Sequence, residues 1–150
     1  MQSPCTWVDY EQFQIIGETR GSRMTHILII DDSPTEVHVF KSMLLNNDIE
    51  VSVAKNGEEG IEKAIEIKPD CILMDVVMPG KNGFQATRDL SRNPVTSSIP
   101  VIIITTKDQE TDKIWGMRQG AKDYIVKPAN ERDLIERINK VLGFDRNYED

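Results

Sequence analysis

The sequence predicts an α/β fold in which one parallel sheet lies buried between helices. Three observations carry this expectation. Short, nearly continuous apolar runs rich in β-branched residues recur along the chain, stretches with apolar residues at helical spacing lie between them, and turn residues separate the two kinds. His26-Ile27-Leu28-Ile29-Ile30 opens the series. Ser33-Pro34 then offers a cap and a first-turn proline ahead of a helix in which Val37, Phe40, Lys41, Leu44 and Leu45 recur. Ile49 to Ala54 alternates apolar and polar, as a short strand does. Asn56-Gly57 turns into a helix carrying Ile61, Ala64, Ile65 and Ile67, and Pro69 stops it. Cys71-Ile72-Leu73-Met74 is a third buried run, followed by turn residues from Pro79 to Gly83 and a helix from about Phe84 to Ser91. Pro100 opens Val101-Ile102-Ile103-Ile104, the most β-branched run in the chain. A helix is expected over Asp108 to Arg118, ended by Gly120. Tyr124-Ile125-Val126 is the fifth strand, and Asp133 to Leu142 is an amphipathic helix with Leu134, Ile135, Ile138, Val141 and Leu142 on its apolar face.

Composition bounds the function. In 150 residues, 39% are hydrophobic and 29% charged, enough apolar material to bury a core and too much for a disordered chain. The net charge of -7 argues against nucleic acid as the main partner, because phosphate backbones call for a basic face. Cys5 and Cys71 make no disulfide framework and suit a reducing compartment. No apolar run approaches the ~20 residues of a membrane span, and Ile15-Ile16 is the longest aliphatic run near the amino terminus. A cytoplasmic protein without membrane insertion is expected. Residues 1–24 read as an extension, flexible or partly docked, that holds Trp7, Val8, Tyr10, Phe13, Ile15 and Ile16. Residues 25–144 form the body and 145–150 a short tail, so no DNA-binding output module is expected to follow.

Right-handed crossovers place the carboxyl ends of all the strands along one edge, where ligands of such sheets bind. Polar residues follow the apolar runs there: Asp31-Asp32 after the first strand, Asp75 after the third, Thr105-Thr106 after the fourth and Lys127-Pro128 after the fifth. Neighbouring carboxylates raise one another's pKa, and a divalent cation removes the conflict. Oxygen ligands from a few carboxylates, completed by water, suit Mg2+. Lys127 and Thr105 could then clamp the oxygens of an anion. The set fits a phosphoryl group, with Asp75 as nucleophile, Asp32 and Asp75 on the metal, and Asp31 acting largely through water. Each residue also has an ordinary reading: Asp32 as a helix cap, Thr105 as a capped strand end, Lys127-Pro128 as a solvated turn. Their occurrence together at one edge is what favours chemistry.

Several motifs resemble the receiver domains of two-component response regulators. They are Ile29 to Ser33, Leu73 to Gly83, Pro100 to Thr105 and Tyr124 to Pro128, and the likeness spans about residues 25 to 144. It implies a flavodoxin-like, CheY-like doubly wound fold with strand order 2-1-3-4-5 and helices on both faces. It also implies a phosphoacceptor signalling protein rather than an enzyme. Asp75 would be phosphorylated by a histidine kinase, and Mg2+ would be held by Asp31, Asp32, Asp75 and the Val77 backbone carbonyl. Thr105 would move toward the phosphoryl group and leave space for the Tyr124 ring. A downstream protein target would read the face of the fourth helix, fifth strand and fifth helix, where Trp115 is either a core anchor or a partner contact. A monomer or weak dimer is expected. A narrower likeness, over Asp31 to Glu36, Met78 to Arg88 and Thr105 to Gly120, is to stand-alone regulators of the type IV pilus, Chp-type system that controls twitching motility.

The chain departs from the common receiver pattern at Ala129, where the family often has Phe, and at Thr106 and Val77. Val77 cannot orient a water by hydrogen bonding, so with Thr106 it is expected to slow hydrolysis of the acyl phosphate. A phosphate-sink receiver of a chemotaxis-like system shares every site residue and is the alternative reading. Other classes fit less of the pattern. A haloacid dehalogenase-type phosphatase would draw its nucleophile from the first strand in a DxD pattern, and a flavin binder would need a Ser/Thr/Gly-rich loop where Pro34 and Glu36 stand.

Overall fold

The computed structural model of the protein describes residues 24–144. The apolar segment around Trp7, together with Cys5 and the tail 145–150, lies outside the described residues. Five strands and five helices alternate along the chain: β1 (His26–Ile30), α1 (Pro34–Leu45), β2 (Glu50–Ala54), α2 (Gly57–Ile67), β3 (Cys71–Met74), α3 (Gly83–Arg92), β4 (Val101–Thr105), α4 (Glu110–Arg118), β5 (Asp123–Val126) and α5 (Glu131–Leu142). The strands form one sheet in the order β2-β1-β3-β4-β5. Every pairing is parallel. This is the 2-1-3-4-5 order that the family resemblance implies.

Successive strand side chains point to opposite faces, so continuous apolar strands require cover on both sides. Leu28, Ile30, Ile72, Met74, Val101 and Ile103 pack on one face with Ala64 of α2 and Ala86 and Leu90 of α3. Ile27, Ile29, Cys71, Leu73, Ile102 and Ile104 pack on the other with Phe40 and Leu44 of α1 and Leu134 and Ile138 of α5. Burial raises the Cys71 thiol to about 12, so it stays a neutral apolar filler. β2 lies at the sheet edge and is only partly buried, which explains its alternating sequence. No helix among the described residues is long and apolar enough to cross a membrane.

Local chemistry starts and stops the helices. Ser33 Oγ accepts from the Glu36 N–H at 3.3 Å, with Pro34 opening the first turn. Ser33 is therefore the cap, and the alternative role for Asp32 as a cap falls away. Asn56 Oδ1 accepts from the Glu59 N–H at 2.8 Å. Asn82 and Gln85 cap each other reciprocally at the start of α3, both bonds being 2.9 Å. α2 ends in a left-handed Lys68 just before Pro69. Two helix starts differ from expectation. α4 begins at Glu110 rather than Asp108. α5 begins at Glu131 rather than Asp133, because Asn130 caps it by accepting from the Asp133 N–H. Leu45 and Ile65 are exposed, since each follows a buried residue by one position and is turned about 100° away from the core.

Candidate functional site

The register delivers the acidic residues to one point. Ile30 of β1 pairs with Met74 of β3, so Asp31 and Asp75 leave neighbouring strands at the same level. The Asp75 N–H donates to the Ile30 carbonyl at 3.0 Å, and the Asp31 N–H to the Ala54 carbonyl at 3.1 Å. Both main chains are thus still held by the sheet where their carboxylates begin. Carboxylate oxygens of Asp31, Asp32 and Asp75 lie within 4.8 Å of one another. Asp31 is 4% exposed and Asp75 9%, whereas Asp32 faces solvent.

Lys127 reaches this cluster from the far side. Its N–H donates to the Thr105 carbonyl at 2.8 Å, which sets the residue beside the end of β4. Nζ lies 3.3 Å from Asp31 Oδ2, 3.5 Å from Asp75 Oδ1 and 3.6 Å from Glu36 Oε1. It also stands 5.7 Å from the centroid of the Phe40 ring. Asp31 receives a second bond from the Ser33 N–H at 3.0 Å. The electrostatics follow from burial and crowding. Desolvation pushes the Asp75 carboxyl up to about 6, with Asp31 adding to the rise and Lys127 and the Val76 N–H opposing it. Burial alone would lower Lys127, but Asp75, Asp31 and Glu36 outweigh it and hold the ammonium above its usual range.

The loop after β3 is clamped from below. A methyl group on Gly83 would lie 2.7 Å from Val76 Cα, closer than side-chain carbons approach a backbone. The Gly83 N–H donates back to the Val76 carbonyl at 2.9 Å. The absence of a side chain there lets α3 press against the Asp75 main chain. Val77 and Thr106 both reach solvent, Val77 with 60% of its surface exposed.

Thr105 is fully buried, and its Oγ1 accepts a long bond from the Lys107 N–H at 3.4 Å. Tyr124 Oη donates to the Lys107 carbonyl at 2.9 Å. Burial, with Asp112 and Asp108 nearby, raises this phenol to about 12, so it remains a donor. Tyr124 is 9% exposed, and a methyl on Gly116 of α4 would come within 3.1 Å of its ring. Of the two expectations for Trp115, the core anchor is excluded: it is 48% exposed, beside exposed Ile114 and Met117 on α4.

An all-oxygen donor set, with buried Asp31 and Asp75 on the inside and Asp32 on the solvent side, fits a small hard cation whose remaining positions are filled by water. An ammonium 3.5 Å from the central carboxylate fits a second anion placed on that carboxylate.

The sequence profile described as the response regulator receiver domain matches residues 27–139. The chain belongs to the response regulator receiver family. Protein PilH of Pseudomonas aeruginosa PAO1 is 57% identical to this receiver over 120 residues, covering 80% of this chain and 99% of that one. Response regulator PleD of Caulobacter vibrioides NA1000 is 37% identical over 118 residues, 79% of this chain and 26% of PleD. Among solved structures, the chemotaxis protein CheY4 of Vibrio cholerae superposes with a TM-score of 0.75 at 28% identity, covering 79% of this receiver and 99% of CheY4. The receiver domain of the sensor histidine kinase PA1611 from Pseudomonas aeruginosa PAO1, solved with a magnesium ion coordinated in its active site cleft, superposes with a TM-score of 0.75 at 26% identity over 81% of this chain and 99% of that one.

The receiver's structure brings Asp31, Asp32, Asp75 and Lys127 together and hangs Thr105 on the next strand by its main-chain bond to Lys127. Reading the strand ends alone missed Glu36 and Phe40. Both lie in the first two turns of a helix that starts at the site edge, and their spacing of four residues, which sets them on one helix face, was the available signal.

Proposed function

We propose that this receiver is a stand-alone phosphoacceptor that takes a phosphoryl group from a histidine kinase onto Asp75. The observation that carries the reading is the buried Asp75 carboxylate, with the Lys127 ammonium 3.5 Å away and two further carboxylates within 4.8 Å. In the transfer, the P–N bond of the kinase phosphohistidine breaks, a P–O bond to an Asp75 oxygen forms, and the departing imidazole keeps the bond's electron pair and takes up a proton. Asp75 must attack as the carboxylate, which makes its raised pKa a cost that nearby positive charge offsets. Asp31, Asp32, Asp75 and the Val77 carbonyl would hold Mg2+. When bound, the ion neutralises carboxylate and phosphoryl oxygen charge. Lys127 supplies a point positive charge to the phosphoryl oxygens, and the Thr105 hydroxyl supplies a hydrogen bond once it turns from Lys107. The strand ends hold the Asp31 and Asp75 main chains in place before the donor arrives, so the reacting carboxylate is already positioned.

Thr105 and Tyr124 both bond to Lys107, and that shared residue supports a coupling between the phosphorylated edge and the α4–β5–α5 face. A downstream protein docking on that face is the output, and exposed Ile114, Trp115 and Met117 supply apolar contact there. Likeness to PilH over nearly its whole length supports a role in type IV pilus twitching motility and 25–144 as the working domain; a cytoplasmic location and a monomer or weak dimer complete the reading. Incubation with acetyl phosphate and Mg2+, followed by intact mass, tests the chemistry. A gain of one phosphate that needs Mg2+ is expected. No gain under any donor or metal concentration would contradict the reading.

A further inference from the structure

Two side chains of α1 approach Lys127 from the same helix face. Glu36 Oε1 is 3.6 Å from Nζ, and the Phe40 centroid is 5.7 Å from it. Glu36 and Phe40 are four residues apart, so they stack one turn above the other. One helix thereby offers an anion and the negative face of an aromatic ring to one ammonium. Phe40 is buried at 4% exposure, while the Glu36 side chain keeps 42% of its surface in solvent.

An ammonium has three hydrogens to donate. Asp31, Asp75 and Glu36 already surround it at 3.3, 3.5 and 3.6 Å. A phosphoryl group on Asp75 adds oxygens to that sphere, so one present partner has to yield. Asp31 is buried and also held by the Ser33 N–H, and it has no water to retreat to. Glu36 stands on the solvent side and rehydrates on release at little cost.

We propose that Glu36 is a positioning residue for Lys127: with Phe40 it parks the ammonium on the α1 side of the site, and it competes with the phosphoryl group for it. The proposal rests on the reading of Asp75 as phosphoacceptor. Its consequence is that Glu36 restrains phosphorylation. Loss of its charge frees Lys127 for the incoming phosphoryl group and removes one repulsion from the path of an anionic donor.

The test is the labelling rate with acetyl phosphate at saturating Mg2+, read by intact mass at low and high ionic strength. At low salt Glu36→Gln labels about fivefold faster than the unsubstituted protein, and the gap falls below about twofold near 0.5 M salt, where screening has shortened the range of exposed charges. Glu36→Asp, which keeps the charge, stays within about twofold of the unsubstituted protein at both salts. A purely structural role would not respond to salt in this way. Equal rates for Glu36→Gln and the unsubstituted protein at low salt would overturn the proposal, as would a gain that persists at high salt. Either result leaves the phosphoacceptor reading standing. Failure of the unsubstituted protein to label would remove that reading and this proposal together.

Discussion

Gly83 packs against the main chain of Asp75 so closely that a single added methyl group would overlap the Asp75 carbonyl oxygen. The start of α3 is therefore a buttress behind the central carboxylate. Gly83→Ala has to push α3 outward or displace Asp75. We expect a stability loss of about 1–3 kcal/mol, as for overpacking elsewhere. We also expect labelling to fall even where the variant remains folded. Denaturant unfolding beside the acetyl phosphate labelling rate measures both. An unchanged labelling rate in a destabilised variant would separate the buttress from the chemistry.

Asp75 makes metal-free stability depend on pH in an unusual direction. Burial first of all pushes its folded pKa up to about 6, above the ordinary carboxylate value of about 4. Between those values the folded protein binds more protons than the unfolded chain, so this group's contribution to stability falls as pH rises from about 4 to about 6. Above that window the buried charge is carried at a cost. Asp75→Asn should therefore stabilise the metal-free protein by about 1–3 kcal/mol at pH 7.5. The advantage should shrink toward pH 4. Urea melts across this range without divalent ions check the sign, and a variant less stable than the parent at pH 7.5 would contradict it.

Much of this was legible in the sequence because strands buried on both faces leave an unmistakable apolar trace, and the residues just past them mark the site edge. Asp31, Asp75, Thr105 and Lys127 are of that kind. Glu36 and Phe40 were not: their four-residue spacing sets them on one helix face, but only the way α1 sits over Lys127 gives that face a role. The start of α5 was hidden for another reason: Asn130 lies directly after Pro128-Ala129 and reads as part of a turn, although its side chain caps the helix. Trp115 looked ambiguous because α4 has no clear apolar face, with Ile114, Trp115 and Met117 exposed and Gly116 turned to the core.

Val77 offers an attacking water no hydrogen-bonding group, although its side chain is 60% exposed beside the site. The acyl phosphate should accordingly be long-lived for a receiver. Val77→Asn supplies a donor and an acceptor at the same place and should speed loss of the phosphate by roughly threefold to tenfold. Decay of the labelled protein after donor removal, followed by intact mass, gives the rate. Rapid decay that Val77→Asn leaves unaltered would rule out this account.

Tyr124 Oη holds the Lys107 carbonyl at 2.9 Å. Tyr124→Phe deletes that bond while keeping the ring, and should cost about 1 kcal/mol. It should also release the segment after β4, so amide exchange at 106–109 should quicken with little change elsewhere. Uniform protection in both proteins would mean the hydroxyl does not secure that segment.

The central claim is that Asp75, among three adjacent aspartates, is the residue that carries the phosphate. Acyl phosphates are reduced by borohydride to the corresponding alcohol, which marks the modified carboxylate permanently. Labelling with acetyl phosphate and Mg2+, followed by reduction and peptide mass mapping, should convert position 75 alone to homoserine. Conversion at Asp31 or Asp32 instead, or of none of the three in protein that has gained the mass of a phosphate, would contradict the account.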